Sequence, residues 1–211
     1  MSFHLKWSFN NEKVSKLDAV SFGIPAFESA DGFKTCPKAG ACAAICYARQ
    51  GHYRMPNVVE AREFNLRIVR GDLDRFVAMA VEDLKKIPNR TIRVHDSGDF
   101  FSEDYLRAWY KIARAFPEKR FYSYTKSLHL KLWVNRPANF QVIQSEGGQL
   151  DPAIREERPH ARIFATNYAR RKAGYGDGHM TDTLAIQGAN KIGLVYHGNK
   201  NLTEAQDKYF R

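Results

Sequence analysis

Three cysteines, Cys36, Cys42 and Cys46, fall within eleven residues at the spacing Cys-x5-Cys-x3-Cys, and the chain holds no others. Thiolates this close in one loop can meet on a single metal centre. The residues between them include Ala39, Gly40, Ala41, Ala43 and Ala44. Such small side chains leave room for a bulky cluster and let backbone N–H groups face its sulfides. The spacing therefore predicts an iron-sulfur cluster, [4Fe-4S], with one iron left to a ligand other than cysteine. Three other readings stay open. Structural zinc would recruit His52 as Cys-x5-Cys-x3-Cys-x5-His; the thiols are otherwise unliganded and buried, or a redox-active disulfide. An odd, low cysteine count rules out a disulfide framework.

A second group of chemically capable residues follows predicted strands. His95, Asp96 and Asp99 lie in a polar turn after a short strand, where a carboxylate near an open iron would have its charged form favoured. Aspartate and glycine are also ordinary residues for such a turn, and His95 reads as packed or supporting. Lys126 follows another strand and suits an anionic substrate, with Tyr124 beside it as a possible substrate contact.

These residues need a scaffold that brings strand ends together. Residues 19–24 read as an opening strand, and the cysteines occupy the loop after it, at 34–54. Apolar residues recur at helical spacing over 57–87, with Gly71-Asp72 dividing two helices and Asp72 capping the second. A strand at 91–95 leads to a helix from about 103 to 116, capped by Ser102 and stopped by Pro117. A strand at 120–124, a short helix at 128–134 and a strand at 140–144 continue the series. Further strands are expected at 161–166, 183–187 and 192–196, and a flexible loop at 172–181 around Gly174, Gly176 and Gly178. Repeated strand-then-helix units predict an α/β fold with a parallel sheet in one domain over 1–211, as an open doubly wound sheet or a barrel; the expected form is a small or partial (βα) barrel, TIM-barrel-like. Its ligands would gather at the C-terminal ends of the strands.

Composition bounds the rest. With 44% hydrophobic residues in 211, the chain can bury a substantial core. No run approaches the ~18 apolar residues of a membrane span and the N-terminus lacks a secretory signal, so no membrane role and a cytoplasmic location are expected. A formal charge of +10 favours nucleic acid or another anionic partner. Arg170, Arg171 and Lys172, with Tyr168 and Tyr175 nearby, offer phosphate neutralisation and base stacking. One-electron chemistry at a cluster would also imply an electron donor protein as partner. The competing class is a noncatalytic, metal-stabilised nucleic-acid-binding module.

Thr35 to Arg49 with Gly51-His52-Tyr53, then Val94-His95-Asp96-Ser97-Gly98-Asp99-Phe100, then Tyr122-Ser123-Tyr124-Thr125-Lys126-Ser127 resemble, in that order, the phage "gene product 88" family over residues 18–200. That family is in turn distantly similar to radical S-adenosylmethionine enzymes, which carry a [4Fe-4S] cluster in the loop after the first strand of a (βα) barrel. The resemblance implies a host-cell cytoplasmic setting and S-adenosylmethionine as a cofactor. It places Asp96, Ser97 and Asp99 where those enzymes hold the cofactor's amine with a Gly-Gly-Glu-like turn. The chain departs from their Cys-x3-Cys-x2-Cys spacing, and Ile45 stands where they have an aromatic residue.

Overall fold

Alternation along each strand decides what the two faces of the sheet carry. The computed structural model describes residues 4–9, 17–178 and 180–196. Its strands are β1 (Trp7–Ser8), β2 (Ala19–Phe22), β3 (Thr91–Val94), β4 (Arg120–Thr125), β5 (Phe140–Ser145), β6 (His160–Phe164), β7 (Gly176–Asp177) and β8 (Lys191–Val195). They form one sheet in the order β1-β2-β3-β4-β5-β6-β8-β7. β1 runs antiparallel to β2, and every other pairing is parallel.

On one face Val20, Phe22, Ile92, Val94, Phe121, Phe140 and Val142 join the larger core. Against it pack α1 (Pro56–Gly71), α2 (Leu73–Lys86) and α3 (Glu103–Ala115). Phe22, Phe76 and Trp109 form its aromatic centre, with ring centroids 5.1 to 5.6 Å apart. The opposite face carries Ser21, Arg93, Tyr122 and Tyr124. Tyr122, Ile143, Ala161 and Ile192 make a smaller core there with Ala185 of α5 (Thr183–Gln187). The short α4 (Asn167–Lys172) completes the set.

The caps fall where the sequence places them. Asp72 accepts from the Arg75 N–H at 2.9 Å and Ser102 from the Tyr105 N–H at 3.2 Å. Pro56 opens α1, where its missing N–H costs nothing.

The strands form a single sheet in a mixed α/β fold, with β1 and β7 at the two ends of the strand order. Two expectations are corrected. Residues 128–134 form a series of turns instead of a helix. Arg107 takes the Lys131 carbonyl at 3.0 Å and Tyr110 takes that of Leu132, so these oxygens serve α3. Residues 183–187 form α5 and not a strand; a short apolar run, here Leu184-Ala185-Ile186, is ambiguous, and Gly188 at φ +71° ends it as a helix. The glycine run around Gly174, Gly176 and Gly178 contains β7, paired with β8, and residue 179 lies outside the described residues.

Candidate metal centre and cavity

Because β2 to β6 and β8 all run in parallel, their C-terminal ends open on one edge of the sheet. A cavity of about 1120 Å³ lies there. Cys36, Cys42, Cys46, Asp96, Ser97, Asp99, Tyr124 and Lys126 all line it. The residues expected from the sequence to share one site thus line one cavity.

The cysteine loop is held by backbone contacts to the turn after β5. Ala39 bridges Gly148, the N–H groups of Gly40 and Cys42 both donate to the Gly147 carbonyl at 3.2 and 3.0 Å, and Gln149 N–H donates to Lys38 O at 2.9 Å. That turn is fixed in its own right, since the Asp151 carboxylate accepts from the Gly147 and Gly148 N–H groups at 2.8 Å each. The loop then winds through three short 3₁₀ turns, Ala41–Ile45, Tyr47–Arg49 and Gly51–Arg54, with Ile45 buried as an anchor. Half of Tyr47's surface is exposed, yet its hydroxyl is held inside. It donates to the Asp96 carbonyl at 2.5 Å and accepts from Arg93 at 3.0 Å.

All three thiols are free and half-buried. The Phe27 N–H donates to Cys36 Sγ at 3.3 Å, and a backbone N–H from Ala48 reaches Cys46. Burial, with Asp99 nearby, pushes the Cys36 thiol up to about 12, and burial raises Cys46 as well. Both are therefore protonated at neutral pH until a cation displaces the protons. Among the described residues no three His, Cys, Asp or Glu side chains stand together as a preformed metal site. The donor chemistry nevertheless fits an iron-sulfur group. Three thiols, two N–H groups aimed at sulfur and small neighbours are what such a cluster uses. His52 lines the same cavity but is exposed.

The polar turn after β3 is built into the scaffold. Asp99 accepts from the Thr125 hydroxyl at 2.6 Å and from the N–H groups of Phe100 and Lys126 at 2.7 and 2.9 Å. Ser97 donates to the Ile24 carbonyl at 2.6 Å. Asp96 pairs with Arg62 at 2.6 Å through one oxygen, while its other oxygen has no partner and packs on Gly23. His95 is packed, as expected, among Phe100, Tyr105 and Trp109, with Nε2 2.8 Å from the Tyr105 hydroxyl. The Tyr124 hydroxyl donates to Asp182 at 3.2 Å and Lys126 Nζ to the Ser145 hydroxyl at 2.8 Å.

Sequence reading missed the buried charges beside this turn. Arg93 pairs with Asp182 at 3.1 Å, and Tyr122 also donates to Asp182 at 2.9 Å. A signal for Arg93 exists, a cation between Ile92 and Val94 in a strand. Arg62 falls on the buried stripe of α1 with Leu66 and Val69. Asp182 sits in an irregular stretch with no local pattern. The basic run on α4 divides: Arg170 is buried, paired with Asp177 at 3.1 Å and bonded to the Tyr175 carbonyl. Tyr175 is likewise tied to Glu146, which leaves Tyr168, Arg171 and Lys172 on the surface. No helix among the described residues is long and apolar enough to cross a membrane.

The model of the family described as Gene product 88 matches residues 5–208. Similar curated proteins are the Gene 88 protein of Mycobacterium phage D29, 35% identical over 119 residues, and that of Mycobacterium phage L5, 34% identical over 119 residues. Each match covers 51% of this chain and 48% of the relative, so the chain spans about half the length of the curated relatives it matches. No solved structure matches it.

Proposed function

The chain belongs to the gene product 88 family, and we propose that Cys36, Cys42 and Cys46 hold a [4Fe-4S] cluster at the C-terminal edge of its parallel strands, as the centre of one-electron reductive chemistry. The observation that carries this reading is the placement of all three thiols of one loop on a single cavity at the strand ends. When bound, the cluster would supply electron transfer or a reductive reaction at the iron that no cysteine holds.

The chain's own residues do the rest. Gly147 and Gly148 hold the cysteine loop to β5 through its backbone. Phe27 and Ala48 donate N–H groups that would offset charge on the ligating sulfurs. Tyr47 ties the segment after Cys46 to Arg93 and to the β3 turn. The sequential strand order supports a partial (βα) barrel as the finer description of the sheet. The cavity extends beyond the thiols to Tyr124, Ile163 and Leu194. Its volume of about 1120 Å³ lies just above the range of organic-ligand sites, roughly 300–1,000 Å³, which supports room for a second occupant such as S-adenosylmethionine beside the cluster.

Anaerobic reconstitution with iron and sulfide, followed by paramagnetic resonance of the reduced protein, tests the proposal. A cluster signal that changes when S-adenosylmethionine is added is the expected result. A signal indifferent to the addition removes the cofactor from the account, and the absence of any cluster signal overturns it.

A further inference from the structure

Lys126 carries a cation that makes no direct ion pair among the described residues. It follows β4 at the cavity wall, and its stem lies over Gly148: a Cβ built there would be 3.1 Å from Lys126 Cβ and 3.0 Å from the Lys38 carbonyl. Lys126 is thereby stacked on the turn that grips the cysteine loop. Its Nζ donates to a neutral group, the Ser145 hydroxyl, and among the described residues it enters no ion pair. The nearby Asp99 carboxylate is already occupied by one hydroxyl and two N–H groups. Burial of an ammonium is costly without compensation. Lys126, Cys36, Cys42 and Cys46 line the same cavity, so the ammonium and the three sulfurs face one enclosed space. Burial alone would lower the Lys126 pKa; Cys42 when ionised, Asp99, and Cys36 and Cys46 when ionised raise it.

We propose that Lys126 is the counter-ion of the three-sulfur site: a positioning residue whose ammonium favours negative charge on the cysteines and raises the reduction potential of the cluster they hold. The part concerning potential rests on the cluster reading above. The part concerning charge stands on the cavity alone.

The apoprotein tests the charge directly. The thiols are modified with a sulfonate-bearing and, separately, a trimethylammonium-bearing methanethiosulfonate at one pH and low salt. The ratio of the two rates cancels thiol nucleophilicity and reports local potential. The unaltered protein and Lys126→Arg are expected to favour the anionic reagent over Lys126→Met by roughly fivefold, the effect of one nearby unit charge. Equal ratios in all three proteins overturn the proposal, and agreement between the unaltered protein and Lys126→Arg guards against a folding defect in the Met variant. In the loaded protein Lys126→Met is expected to lower the reduction potential while Lys126→Arg restores it; an unchanged potential overturns the tuning role. Failure of the unaltered protein to assemble a cluster counts against the cluster reading, and the reagent ratio still decides the charge.

Discussion

His95 is the residue at which burial most plainly sets a pH dependence. It holds a left-handed backbone at φ +69° and is buried against Phe100, Tyr105 and Trp109. Burial, with a smaller effect from Arg62, lowers its pKa from 6.5 to about 3. The folded protein keeps it neutral while the unfolded chain takes up a proton below 6.5. Stability contributed by the neutral ring is therefore full above 6.5 and is lost as pH falls toward 3, by about 1.4 kcal/mol per unit at most. Thermal melts across this window should show a falling midpoint that His95→Asn, which tolerates the backbone angle, flattens; identical slopes would contradict the assignment. At this scale the sequence shows which residues carry chemistry but not how they are engaged. Asp96, Ser97 and Asp99 are legible as a polar turn. Their commitments to Arg62, Ile24 and Thr125 come from segments 26 to 73 residues away in sequence.

At the scale of elements, the cysteine loop has little regular structure, so its position depends on docking to the turn after β5. Gly40 is the tightest point. A Cβ there would lie 2.8 Å from the Gly148 carbonyl carbon and 3.0 Å from the Gly147 oxygen, both backbone atoms that cannot move aside. Gly40→Ala should displace the loop and lower the iron retained after reconstitution, while helix content measured by circular dichroism stays as in the unaltered protein. Full iron retention would show that the clamp does not position the thiols. Elements with long periodicity were legible: α1, α2 and α3, the last two with their caps, and β2 to β5. The failures lie where tertiary contacts override a short local pattern. Segment 128–134 gives its carbonyls to α3, and the two-residue strands β1 and β7 are too short to leave a period.

The whole molecule is organised by strand order. Consecutive parallel strands without a reversal put the loops after β2, β3, β4 and β5 side by side, which is why motifs far apart in sequence line one cavity. The strand-helix alternation made that arrangement legible. The edge strands β1 and β7 were not, because their pairings are set by distant partners that no single segment encodes. The formal charge of +10 is likewise a property of the whole chain and singles out no partner. The central claim meets its most direct test in the iron and acid-labile sulfide content of protein purified without oxygen. The account predicts about four of each per chain in the unaltered protein and loss of both in the triple variant Cys36→Ser, Cys42→Ser, Cys46→Ser. Neither element in the unaltered protein, or equal amounts in the variant, would contradict it.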